Sequence, residues 1–245
     1  MRKTFSHQRA KGVSVMLGTW VNVGAILAGT AAGCLLKKGI PDRIKRTLMQ
    51  SLGLCTLLIG IRAAILTNDM LCVIVSLVAG TMLGSAAGIE RRLNALGVSA
   101  ERLITRGKPS EQNTFAKAFV TSSLVFCVGA MAVVGSLDSG LKGDHAILIA
   151  KSALDGVASV VFASTLGPGV ALSALSVLLY QGAITLLSGV AAPVLSAAAI
   201  TEMSAAGGLV IVGIGFNLAL DHDIKIGDML PAIFIPLIYL AITGA

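Results

Sequence analysis

Residues 147–166 read ILIAKSALDGVASVVFASTL, and residues 168–188 read PGVALSALSVLLYQGAITLLS. A helix needs about 20 mostly apolar residues to cross a bilayer, and each stretch has that length. Pro168, set between Gly167 and Gly169, divides what would otherwise be one continuous run. In the first stretch Lys151 and Asp155 stand four residues apart, so a helix carries both on one face, and Ser152 and Ser159 extend that stripe. A charged group inside a bilayer costs at least about 2.5–3.5 kcal/mol on insertion scales, so it normally faces protein or water and finds a partner. These two stretches read as membrane-spanning helices, one with a charge pair in it, and they set the fold class: all-α and polytopic.

The remainder of the chain agrees. Of its 245 residues, 55% are hydrophobic and 13% charged, where a soluble domain carries about 25% charged; the mean hydropathy is +0.88. The 28 glycines sit in apolar runs with Ala and Ser, as in helices that approach closely in lipid. Apolar segments fall at 16–36, 48–66, 70–90, 117–137, 147–166, 168–188, 207–220 and 229–243. The last two are short, so seven spans with one re-entrant piece is an alternative to eight. The one long polar stretch is 91–116, too short for a domain. Residues 16–245 are read as a single transmembrane domain.

Charge sets the orientation. The net +7 comes from clusters in connecting segments, not from one basic face, which argues for the positive-inside rule and against a nucleic-acid partner. Lys37, Lys38, Arg43, Lys45 and Arg46 lie in 37–46, and Arg91, Arg92, Arg102, Arg106 and Lys108 in 91–116. Both segments are expected to be cytoplasmic, with 138–146 external. Residues 1–15, with Arg2, Lys3, Arg9 and Lys11, then fall on the wrong side, which suggests Met16 as the natural start. This leader resembles a signal peptide and Ala31-Ala32-Gly33-Cys34 a lipoprotein cleavage site, but Ala31 stands where Leu is usual and further spans follow. Cys34, Cys55, Cys72 and Cys127 all lie in apolar runs without metal-ligand spacing and read as buried thiols.

An internal repeat is visible. Residues 53–62 read GLCTLLIGIR and residues 208–217 read GLVIVGIGFN. Each follows a proline and an amphipathic lead and precedes a polar turn, Thr67-Asn68-Asp69 or Asp221-His222-Asp223. Units 16–90 and 168–243 would then be inverted about a 117–166 hairpin, the plan by which transporters build a midplane site.

From the fourth segment onward Phe126-Cys127-Val128-Gly129, Gly143-Asp144, Ile147 to Ser152 with Asp155, and Phe162 to Gly167 form a recognisable series. Together with Ala206-Gly207-Gly208-Leu209 and Met229-Leu230-Pro231-Ala232, it resembles the YqgA/YdfK-type family of uncharacterised bacterial inner-membrane proteins. The resemblance covers nearly the whole chain from Met16 and implies a bacterial inner-membrane location, without bringing an activity.

The candidate ion- or solute-binding residues are Asp155 as exchangeable carboxylate, Lys151 as its counter-charge, Ser152, Ser159, Asn22, Gln181, Arg62 and Asn217. Asn22 and Gln181 are lone amides in mid-helix, equally suited to ligation or to interhelical hydrogen bonds. Arg62 matches Asn217 in the repeat and would reach an anionic guest or snorkel to the surface. Glu90 and Glu202, at segment ends, read as solvated, and His222 as part of a polar turn. Gly29 with Gly33, and Gly80 with Gly84 and Gly88, fit packing within one chain as well as a homo-oligomer. No nucleotide-binding loop, catalytic triad or zinc motif is present, so neither an enzyme nor a cofactor is expected. The leading function is a transporter of a small ion or solute in the lipid bilayer, with a membrane scaffold or regulator, or an ion channel, as alternatives. A transport site should be reached by water, whereas a structural pair should be dry.

Overall fold

The computed structural model describes residues 15–37, 42–104 and 114–243, and among these no strand forms. The chain is a bundle of helices: α1 (Leu17–Lys37), α2 (Asp42–Ala64), α3 (Met70–Ala87), α4 (Ile89–Ile104), α5 (Thr114–Cys127), α6 (Ala130–Lys142), α7 (Ala146–Leu166), a 3-10 turn Pro168–Leu172, α8 (Ser173–Leu186), α9 (Ser188–Ala191), α10 (Ala197–Leu220), a 3-10 segment Ile226–Ile233 and α11 (Ile235–Thr243). Among the described residues seven spans are long and apolar enough to cross a membrane: α1, α2, α3, α7, α8 with its leading turn, α10, and the 3-10 segment joined to α11. Most of the leader, residues 1–14, and parts of both basic segments lie outside the described residues.

The fourth segment differs from expectation. It is not one helix over 117–137 but two, Phe115–Cys127 and Ala130–Lys142, bent by 61°. Gly129 sits between them at φ 133, a backbone conformation that a Cβ opposes. Hydropathy cannot reveal such a break, because it changes direction without changing polarity. The two C-terminal segments are also longer than expected. α10 begins at Ala197, capped by Ser196, whose Oγ accepts from the Ala199 N–H at 3.2 Å. The amphipathic lead before Gly207 is therefore part of the span. The polar stretch after residue 90 is helical as far as Ile104, and starts directly after Gly88 closes α3 in the left-handed region at φ 61.

Small residues decide which helices meet. Gly18 faces Leu148, Gly29 faces Gly156 and Ser159, and Gly33 faces Val160 and Ala163, so α1 and α7 lie side by side and run in parallel. Gly53 faces Ala219, Gly215 faces Leu57, and Gly60 faces Gly208 and Val212, so α2 and α10 are antiparallel. Gly80 and Gly84 of α3 face Ala232 and Asp228 of the second 3-10 segment. For α1 and α7 to point the same way, an odd number of crossings must separate them. α2 and α3 supply two, so the bent pair α5–α6 counts as the third, which makes eight candidate crossings among the described residues.

These glycines act within one chain. The matched stretches in α2 and α10 also exchange contacts: Ala219 faces Gly53, and Ala64, its counterpart in register, faces Gly208. The exchange stops there. α1 packs most closely on α7, which belongs to the middle hairpin, and not on a helix of the C-terminal unit.

Outward faces carry exposed apolar side chains, among them Leu58, Met82, Leu154, Val157 and Leu179. The core gathers around Phe126 and Phe162, whose rings are 5.9 Å apart, with Ile26, Val177, Met203 and Val210. Of the cysteines, Cys72 alone is fully buried and Cys55 is exposed on the outside of α2, contrary to the reading of all four as buried; none is in a disulfide.

Candidate functional site

α7 has two unlike faces. Leu154, Val157 and Val161 point outward, while Lys151, Ser152, Asp155 and Ser159 are buried, as a four-residue spacing dictates. Asp155 lies nine residues into α7, about 14 Å from its start at 1.5 Å per residue, well inside the span. Lys151 donates to Asp155 Oδ2. Asn22 Nδ2 of α1 donates to the same oxygen at 2.9 Å and to Gln181 Oε1 of α8 at 3.3 Å. Both charges are nearly enclosed, Lys151 being 6% and Asp155 7% exposed, and both amides are at 0%. Six of the eight sequence candidates thus share one region of the fold, and four of them are joined by hydrogen bonds.

The hydroxyls here behave unlike those elsewhere. In apolar helices a Ser or Thr satisfies itself by donating to the carbonyl one turn back, as Thr30, Thr56, Ser122 and Ser152 do at 2.7–2.8 Å. Thr19, Ser136, Ser159 and Thr185 do not. Their Oγ atoms, with Asn22 Oδ1 and Gln181 Nε2, are the buried side-chain polar atoms that lack a partner among the described residues. All six come from α1, α6, α7 and α8. Burying a polar group unpaired costs about 1–3 kcal/mol, so their concentration in one four-helix region is not what packing alone would select.

The break in the fourth segment opens onto this region. α6 and α7 form a hairpin in which Gly135 faces Ile147 and Leu148. Six residues back along α6 is Gly129, about 9 Å away, and seven to eight forward along α7 is Asp155, about 11–12 Å away. The amino end of α6, which no side chain caps, is therefore level with the charge pair. The Cys127 thiol, just before the break, is within electrostatic range of both Lys151 and Asp155. The sequence signal that could have found it is Gly129 itself, a glycine amid larger residues in a candidate span.

Two candidates lie elsewhere. Arg62 is exposed in the last turn of α2. Asn217 is near the opposite end of its helix pair, where its amide donates to the Ile224 carbonyl and accepts from the Ile224 N–H, both at 2.9 Å. It borders a cavity of about 280 Å³ with Glu90, Asn94, Lys117, Thr121 and His222. Beside that cavity Asp223 bonds Lys225 at 2.5 Å and so holds its ammonium above the ordinary lysine range. A second, open groove runs along α3 past Leu77, Val78, Met82 and Met229. Neither cavity includes Lys151 or Asp155.

Glu90 and Glu202 are not the solvated residues expected of segment ends. Glu202 is 2% exposed and holds the α2–α3 turn, accepting from Thr67 Oγ1 at 2.5 Å and the Asn68 N–H at 2.8 Å. Glu90 Oε2 accepts from the Gly227 N–H at 2.6 Å while its own N–H donates to Asp228 Oδ1 at 2.9 Å. Each carboxylate meets backbone donors that a turn would otherwise leave unpaired. Among the described residues no group of three His, Cys, Asp or Glu is placed to hold a metal ion.

Comparison with known proteins agrees with the resemblance seen in the sequence. Residues 17–241 match the family described as "Protein of unknown function (DUF554)". The chain belongs to this family. It is 33% identical over 227 residues to "Uncharacterized membrane protein YdfK" of Bacillus subtilis (strain 168), covering 90% of this chain and 94% of that protein. It is also 27% identical over 223 residues to "Uncharacterized protein YqgA" of Escherichia coli (strain K12), with the same coverage of each chain. No solved structure matches the fold. The family match begins at Leu17, beside the Met16 at which the resemblance began.

Proposed function

We propose that the chain is a secondary transporter of the bacterial inner membrane, not an enzyme, and that it moves a small ion or solute past the Lys151–Asp155 pair. The observation that carries this reading is a buried charge pair joined to two amides, with six unpartnered polar atoms on the four helices around it and a span broken level with it. Broken helices whose ends lie at mid-membrane are where transporters place their sites. The exchanged contacts between α2 and α10 fit an inverted arrangement of this kind. Under the same reading the basic end, with α4 and the start of α2, faces the cytoplasm, and the 280 Å³ cavity is the inner vestibule.

One observation favours the scaffold. The pair is enclosed and neither cavity reaches it, so a transporter is here in a closed conformation, while a scaffold has a permanent staple. The double change Lys151→Met with Asp155→Leu separates the two. Replacing a buried pair by apolar groups of similar size is often neutral or stabilising, so the variant folds. Full-length protein in vesicles loaded with a pH dye is challenged in turn with jumps of sodium, potassium, chloride and nitrate. Transport through the pair gives proton movement for at least one jump in the wild type and none in the double variant. Equal flux in both removes the site from the path, and no flux in either leaves the scaffold.

A further inference from the structure

The buried cluster is neutral as folded, with one ammonium and one carboxylate, and it is unequal in what it offers a guest. Its donors are the Lys151 ammonium and the unpartnered Gln181 amide, and level with them the amino end of α6 carries about half a positive charge. Its fixed acceptors are Asn22 Oδ1 and Asp155 itself, while the four hydroxyls serve either way. A guest that left net charge in the bilayer would meet the cost that keeps such charges rare. A cation would be balanced if Lys151 gave up a proton, but it would then sit level with the positive end of α6. An anion would be balanced if Asp155 took up a proton, and it would meet the donors.

We propose that the site carries a small monovalent anion together with one proton. This rests on the transport reading. Asp155 Oδ2 takes a proton from the aqueous phase, its bond to Lys151 loosens, and the ammonium pairs with the anion beside the Gln181 amide. On the far side the anion leaves, the proton returns to water and Lys151 closes on Asp155 again. The cycle moves no net charge. The guest has few heavy atoms, because the pair is enclosed on all sides.

Other groups around Asp155 leave it the exchanging carboxylate. α1 brings Asn22 and α8 brings Gln181, neither of which titrates; α5 brings the Cys127 thiol. The charges of α6, Asp138 and Lys142, pair with each other at 2.7 Å near its far end. Arg43, Arg46 and Arg62 of α2 are exposed.

The test uses the purified full chain in nanodiscs and in vesicles, with potassium chloride, nitrate and pyruvate as probes and sodium and potassium gluconate as controls. At least one probe anion raises the melting temperature. Its apparent affinity falls by up to about tenfold per pH unit above the titration of Asp155, since proton and anion are reciprocally linked. Asp155→Asn, which mimics the protonated carboxyl, keeps anion binding, loses its pH dependence, and carries anions without protons. Lys151→Met loses the binding. Anion binding that ignores pH or survives Lys151→Met overturns the inference, as does stabilisation by the cations alone. If sodium or potassium drives a proton flux that the double variant lacks, the anion assignment falls and the transport reading stands. If the wild type carries nothing, or the double variant carries as much, both fall.

Discussion

α1 on α7 and α2 on α10 are built alike and filled differently. Both pairs meet through glycines that bring one backbone against the next, Gly29 and Gly33 in the first and Gly53, Gly60, Gly208 and Gly215 in the second. Against its glycines the α2–α10 seam sets Ala, Val and Leu, and the Glu202 carboxylate enters only beyond them, at the α2–α3 turn. The α1–α7 seam encloses Lys151, Asp155 and Asn22 and is flanked by hydroxyls without partners. Close approach in lipid needs only small residues and dispersion contacts. The apolar seam therefore demonstrates, within the same molecule, that the polar one is not required for packing.

The sharpest way to break this comparison is to leave one charge alone. Asp155→Leu strands Lys151 in the polar seam, and breaking a buried pair from one side costs about 3–5 kcal/mol. Melting of the purified variant should fall accordingly, while the double variant recovers it. Equal stability of the single and double variants would mean that water already reaches Lys151. The apolar seam should fail by sterics instead. In Gly60→Val the new side chain meets the Gly208 carbonyl and the Val212 backbone, so the loss should lie near the upper end of the 1–3 kcal/mol usual for overpacking, or about 3 kcal/mol. A tolerated valine would show that the seam can open.

A smaller effect is expected at the end of α10. Glu202→Ala removes the acceptor for Thr67 and the Asn68 N–H, and losing such a partner costs about 1–3 kcal/mol. Exchange of the amide at Asn68 should accelerate with it, and an unchanged rate would show that the turn stands without its clasp. Least of all should come from Arg62→Gln. The side chain is exposed and no hydrogen bond or ion pair of it is among the described contacts, so stability should move by no more than about 0.5 kcal/mol and ion flux in vesicles should not change. A loss of flux would bring Arg62 back into the path.

Much of the site was legible because helices place residues by spacing. Lys151, Ser152, Asp155 and Ser159 fall on the buried face of α7 that their intervals predict, and a lone amide in an apolar helix announces that it needs a partner. Which amide it would find was not legible, since Asn22 and Gln181 are 159 positions apart and meet only because α8 packs directly on α1. Arg62 and Asn217 matched in the repeat but not in space, because the antiparallel α2 and α10 carry their ends to opposite ends of the seam.

By itself the sequence determined what depends on composition and short-range order: an all-α membrane protein, the approximate place of most spans, the small-residue faces and the charge pair. Lipid imposes that much locally, since every backbone group must be satisfied within its own helix. The tertiary structure decided the rest. It turned the solvated-looking Glu90 and Glu202 into clasps on distant turns, broke the fourth span at Gly129 level with Asp155, and left six polar atoms unpartnered on the four helices around one pair. These are relations between helices far apart in the chain, set by which small residues let which backbones touch, and hydropathy carries no record of them.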